Sequence, residues 1–234
     1  MFRNALSRLA ALPRRLHRRL MHWAHAMQFD HTPFRGALLR VHTNAPNGSL
    51  DLLKAAVTLI ADHDPVSLAH IPTYLPGGIA AEATSYADAW YNRTTQTCFI
   101  GARTLADADM YDIASCILHE MCHARLMARG IGYPEGLRVR VEQVCIRREL
   151  AFAHRLAAHG HPVKDQITRI AYQLEHITAQ HVSHSSRMRA YRKQFLERLR
   201  LLKANDVPTW IRRLIILRAR RKLAAQRAAE ANHS

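Results

Sequence analysis

Ile117-Leu118-His119-Glu120-Met121-Cys122-His123-Ala124 sits inside a run from Asp107 to about Arg129 whose apolar residues recur at helical spacing. With Ile113 at zero on the helical wheel, Ile117, Met121, Ala124 and Ala128 fall within ~80°, while Asp112, Cys116, His119 and His123 cluster roughly opposite. The helix therefore has a packing face and a separate polar face. Two histidines four residues apart project ~40° from one another, so both imidazoles can reach one metal ion. Glu120 stands at a flanking angle, where its carboxylate can address water held by that ion without becoming a ligand. That is half of a tetrahedral site together with a general base. The chain holds 16 His, yet its own His and Glu frequencies predict only about 0.04 chance matches to H-E-x-x-H.

A catalytic Zn²⁺ normally takes three protein ligands plus water, so a third is needed. The helical pattern stops at Gly130-Ile131-Gly132, with Tyr133-Pro134 beyond, and restarts to run to about His159-Gly160. On this second helix Arg140, Arg147, Arg148 and Arg155 fall on one side. Glu142 and Glu149 share the opposite half with Val139, Ile146, Leu150 and Ala153. Carboxylates on an apolar face are costly to bury unless something cationic compensates them. The two are seven residues and ~10.5 Å apart along the axis, so one should bind the ion and the other support it. Glu142 lies nearer the turn that folds the second helix back on the first and is the preferred ligand, with Glu149 as the alternative. Glu149 is otherwise expected to accept a hydrogen bond from a ligand imidazole or to pair with Arg125 or Arg138. Asp112 is a further supporting candidate.

Working outward, Leu53, Ala56, Val57 and Ile60 mark a helix from Leu50 to His63 that Asp64-Pro65 ends. Pro72, Pro76 and Gly77-Gly78 break the chain. Trp90-Tyr91 and Thr97-Cys98-Phe99-Ile100 have the aromatic and β-branched content of strands, so a small sheet should precede residue 105. Residues 165–205 and 207–228 read as further helices. The fold class is α+β, mostly helical, with the sheet ahead of the metal-bearing helix. Three regions follow: a basic amphipathic segment 1–40, a metal-binding domain 41–160, and a basic helical region 161–234.

The charge supports that division. Residues 1–40 carry eight Arg and one acid, residues 160–234 carry 16 basic and five acidic residues, and the middle is nearly neutral within a total of +16. Leu6, Leu9, Leu16, Leu20, Trp23 and Met27 form an apolar stripe among Arg8, Arg14, Arg15, Arg18 and Arg19, interrupted near Pro13. Trp210, Leu214 and Leu217 repeat the theme after Asp206-Val207-Pro208. Such ends suit an anionic partner, a membrane surface or nucleic acid, although no base-reading motif accompanies them. No apolar run reaches the ~18 residues of a spanning helix, and no secretory h-region is expected at the start. Four cysteines in a chain this long are no disulfide framework, which points to a reducing, cytoplasmic location, with membrane-surface association through the basic ends as an extension. Cys116 and Cys122 border the polar face and read as inert thiols rather than ligands. The remaining histidines, His63 among them, show no ligand spacing.

The residues Ile117 to Ala124 followed by Glu142 resemble the zincin metallopeptidases, in particular the gluzincin branch with two His and a downstream Glu. The resemblance implies strands beside an active-site helix, Zn²⁺ held by His119, His123 and Glu142, and hydrolysis of a peptide or protein substrate by metal-activated water with Glu120 as base. Tyr133 and His154 are candidate donors to the oxyanion, and the Trp90 to Ile100 segment could hold an extended substrate by strand addition. One departure is Ile146, where a gluzincin would place an acid four residues after the ligand. The phrase around Cys122 also resembles the SprT-like zincins, DNA-associated proteases whose third ligand is His; His154 is the nearest candidate for that role. The other class of function the sequence admits is a non-catalytic metal-containing binding protein or adaptor acting through its basic ends.

Overall fold

The computed structural model describes residues 28–83 and 87–178, together with Val182, Thr209 and Ile216. The amphipathic stripes read at Leu6–Met27 and around Trp210, and the helices expected beyond 178, lie outside the described residues. Within them the fold is α+β. β1 (Phe29–Phe34) and β2 (Ala37–His42) are followed by α1 (Ser49–His63), α2 (Pro65–Tyr74), β3 (Ile79–Ala81), β4 (Ala89–Asn92) and β5 (Thr97–Ile100). Then come α3 (Ala102–Asp107), α4 (Met110–Ala128), a 3₁₀ turn (Glu135–Leu137), α5 (Arg138–Ala158) and α6 (Lys164–His176). No described helix is long and apolar enough to cross a membrane.

The five strands form one mixed sheet in the order β1-β2-β3-β5-β4. The β2–β3 and β3–β5 pairs are parallel, β1–β2 and β4–β5 antiparallel. α1 packs against β2 and β3, and α4 packs against β4 and β5 as well as α1. Leu39, Ile79 and Ile100 from the sheet meet Leu53, Val57 and Ile60 from α1 and Ile113, Ile117 and Leu118 from α4 in one core, all shielded from solvent. The packing face read from the wheel of the H-E-x-x-H helix is thus the face turned to the sheet. α5 covers α4 from the other side and contributes Phe152 and Leu156 to the same core.

Four features differ from the sequence reading: the helix expected over 165–205 ends at His176, where Ile177 turns extended, and three others concern the rest of the fold. Residues 29–42 form a hairpin paired into the sheet, so a boundary at residue 40 cuts through β2. Its two turn residues, Arg35 and Gly36, have φ of 47° and 81°, the doubly positive geometry that fits the twist of a tight hairpin. The usual Asn-Gly or Asp-Gly signal is replaced by Arg-Gly. Second, Asp64-Pro65 ends one helix and starts another: Pro65 occupies the first turn of α2, where a missing N–H costs nothing, and the Asp64 side chain accepts from Ser67 N at 3.2 Å. Third, Asp107 closes the short α3, and α4 begins at Met110 under a cap from Asp109, which accepts from the N–H groups of Tyr111 and Asp112 at 2.9 and 3.0 Å.

Candidate metal centre

α4 presents His119 and His123 on the side away from the sheet, and α5 lies across that side. The turn between the two helices fixes their approach. Gly130 (φ 78°) takes the left-handed position after α4, its N–H donating to Met127 O at 3.0 Å while Ile131 N donates to Leu126 O at 2.9 Å. The chain then runs through Tyr133 into α5, which brings Glu142 opposite the two imidazoles.

His119 Nε2 and His123 Nε2 lie 3.1 Å apart. Glu142 Oε2 is 3.2 Å from His119 Nε2, and Glu142 Oε1 is 3.5 Å from His123 Nε2. Donors bound at 2.0–2.1 Å to one tetrahedral ion stand ~3.3 Å from one another, and the two Nε2 atoms and the Glu142 carboxylate, which meets each of them through a different oxygen, lie near that spacing. All three side chains are about 15% exposed, which leaves an opening without flooding the site.

Glu149 takes the supporting place, not the ligand place. It accepts from His119 Nδ1 at 2.5 Å and, through its other oxygen, from Ser115 Oγ at 2.8 Å. That hydrogen bond puts the imidazole proton on Nδ1 and turns Nε2 toward Glu142, the tautomer a metal requires. The pairing with Arg125 or Arg138 is not made; Arg138 pairs with Glu135 at 3.2 Å. Tyr133 donates its hydroxyl to Glu142 and sets its ring edge-on to His123, with centroids 5.6 Å apart. Arg138 in turn lies over the Tyr133 ring at 5.6 Å and donates to its carbonyl at 3.4 Å.

The electrostatics follow from this crowding. Burial alone would push the His119 pKa down, but its hydrogen bonds to Glu142 and Glu149 outweigh burial and hold it well above the ordinary imidazole value. Burial alone would push Glu142 up, yet its hydrogen bonds to His119 and His123 hold it far below the usual carboxylate range. Two imidazoles and a carboxylate, with Glu149 on the far nitrogen of His119, are residues that could hold a divalent cation.

Glu120 is 8% exposed and lines the same cleft, a cavity of about 810 Å³ that also reaches Asp88 and Ala89 at the start of β4. The edge strand thus borders the helix that carries His119 and His123. His154 is exposed and lies ~18 Å along α5 from Glu142, so it is neither third ligand nor donor at this site. Asp112 pairs with Arg169 and accepts from Gln166 at 3.4 Å, a structural tie to α6 rather than support for the histidines.

Cys145 was not singled out from sequence. Its Sγ lies within 4.8 Å of the ligand nitrogens of His119 and His123. Its signal was present in hindsight: three residues after Glu142, it shares that residue's face. The Cys145 thiol is raised by its hydrogen bond to Cys122 and by burial. The Cys122 thiol, for its part, is drawn down to about 7, chiefly by that same contact with Cys145. The Cys116 thiol is pushed up by burial and then by Glu149, whereas the lowered Cys122 departs from the inert thiol expected there.

Comparison with protein-family models, with curated proteins and with solved structures returned no match.

Proposed function

We propose that this chain is a zinc-dependent metallopeptidase. The observation that carries the proposal is the convergence of His119 Nε2, His123 Nε2 and the Glu142 carboxylate at mutual distances of 3.1, 3.2 and 3.5 Å, beside a buried Glu120 that opens onto the same cleft. When bound there, Zn²⁺ supplies Lewis acidity that polarises a carbonyl and makes water a competent nucleophile near neutral pH. The protein's own groups do the rest. Glu149 and Ser115 orient His119, and Tyr133 holds Glu142. The Glu120 carboxylate accepts a proton from the attacking water and returns it to the leaving amine nitrogen. β4, the last strand of the sheet, offers a main-chain ladder to an extended peptide next to the cleft. The four free thiols, Cys98, Cys116, Cys122 and Cys145, support a reducing, cytoplasmic setting. The basic ends would bring the domain to an anionic surface.

The test is Glu120→Gln. Zinc stoichiometry stays at one per chain and cleavage of a mixed peptide library falls by about 10²–10⁴-fold. Loss of zinc, or unchanged cleavage, removes the proposal.

Cys145 favours a second reading. Were its sulfur to join the other three donors, the ion would be closed by four protein ligands, as in structural sites, and the chain would be a non-catalytic metal-containing binding protein. Cys145→Ser decides: zinc affinity falls steeply in a closed site and changes little in an open one.

A further inference from the structure

The sheet has two faces, and the described helices cover one of them. Side chains alternate along each strand. Leu39, Ile79, Ala81 and Ile100 join the core shared with α1 and α4. On the opposite face Arg40, Ala80, Phe99 and Trp90 stand in one row across β2, β3, β5 and β4. The Trp90 and Phe99 rings stack at 5.1 Å with their planes 10° apart, Phe29 meets Phe99 edge-on at 6.3 Å, and the Arg40 guanidinium lies 4.8 Å over the Phe29 ring. Phe29, Ala80 and Phe99 make a hydrophobic cluster of their own, flanked by Trp90, to which no described helix contributes.

This face is nonetheless dry. Phe29 and Phe99 are 5% and 3% exposed, and Ala80 is fully shielded. Glu82, which alternation puts on the same side, is buried too, and burial lowers the Arg40 pKa against the pull of that carboxylate. One layer of side chains cannot shield its own outer surface, so a second layer is needed. Residues 84–86 are too few to supply it. The chain beyond α6 starts against α5, where Arg138 donates to Val182 O at 3.4 Å. Residues 1–27 instead run directly into β1, whose Phe29 belongs to the cluster. As a helix they would reach ~40 Å, against the ~19 Å that five strands span at ~4.8 Å spacing. Their stripe of Leu16, Leu20, Trp23 and Met27 offers the apolar surface such a layer requires.

We propose that residues 1–27 dock on the outer face of the sheet, with Leu16, Leu20, Trp23 and Met27 against Phe29, Phe99 and Trp90 and the arginines between them toward solvent. The stripe is then used within the chain, and an anionic surface meets the arginines alone. The proposal is independent of the metal centre.

The experiment is hydrogen exchange on the full chain, read by mass spectrometry. Amides of residues 6–27 should exchange at least ~100-fold more slowly than in a free peptide of residues 1–27. Leu20→Asp, which charges the stripe, and Trp90→Ala, on the edge strand, should each remove at least ~10-fold of that protection while α4 stays protected. p-Benzoylphenylalanine in place of Trp23 should cross-link on irradiation to peptides holding Phe29, Trp90 or Phe99, and within one chain when light and isotope-labelled chains are mixed. Where a variant also unprotects α4, the exchange of the unaltered chain and the cross-link decide alone. Exchange of residues 6–27 at the free-peptide rate, protection that survives both substitutions, or cross-links only to α5 and α6 or to a second copy would each overturn the proposal.

Discussion

Replacing Glu149 by Gln removes the carboxylate to which His119 donates, while an amide oxygen remains to accept from one of its two partners. Zinc affinity should drop about 10–100-fold, with a smaller loss for Ser115→Ala, as measured by competition with a chromophoric chelator. An unchanged affinity would mean that Glu149 only fills space. The pKa shifts give a pH signature of opposite sign with and without metal. A raised His119 pKa contributes stability that is complete below the unfolded value near 6.5 and lost as pH rises through the folded value. A depressed Glu142 pKa contributes stability present above its unfolded value near 4.5 and lost as pH falls through the folded value. This pair therefore stabilises the metal-free chain most between about pH 4.5 and 6.5, and melting temperatures should fall from pH 6 to pH 9. Zinc takes neutral imidazole, so its affinity should instead rise over that range. At this scale the sequence was informative where spacing decides, in placing His119 and His123 on one face of a helix with their rings in contact. The preference for Glu142 over Glu149 rested on the turn read at Gly130 to Pro134, and Cys145 needed tertiary contacts.

Asp64 ties together three helices. Its carboxylate caps α2, pairs with Arg148 and Arg155 on α5, and is 7% exposed at the side chain. The Arg155 contact is 2.7 Å. Removing it leaves two guanidinium groups short of a partner, although each is about a third exposed and recovers part of its loss from water. We expect Asp64→Ala to destabilise the fold by about 2–4 kcal/mol in urea titration and Asp64→Asn by less, since Asn keeps the cap. Equal effects of the two substitutions would show that the cap contributes little, and a negligible effect of Asp64→Asn would show that the ion pairs do. Helix ends were legible wherever one residue has one job: Gly130 and Gly160 stop α4 and α5 where the pattern places them. They were misread where a residue has two. Asp64-Pro65 was taken as a stop alone, and Arg35-Gly36 carries a hairpin turn on residues with no strong turn signal. β3 is only three residues long, Ile79–Ala81, too short for any alternation to show.

For the whole molecule, the sheet is assembled from strands distant in sequence, and its parallel pairs β2–β3 and β3–β5 bring α1 and α4 onto one core. That arrangement aims the polar face of α4 at α5, where His119, His123 and Glu142 meet. The fold class was readable because helical periods dominate the chain; strand order was not, because pairing partners leave no local trace. The charge of +16 sits chiefly at the two ends of the sequence, outside the near-neutral centre. If those ends meet an anionic surface, retention of the full chain on vesicles containing phosphatidylserine should fall steeply between 50 and 300 mM salt, which sedimentation can measure. Salt-independent retention, or none at low salt, would leave the charge as solubilising surface. The centre itself is tested most directly by X-ray absorption at the zinc edge on the chain loaded with one equivalent of zinc. We expect two imidazoles and oxygen at ~2.0–2.1 Å with no sulfur shell; a scatterer at ~2.3 Å, or a chain that takes up no zinc, would contradict an open site built from His119, His123 and Glu142.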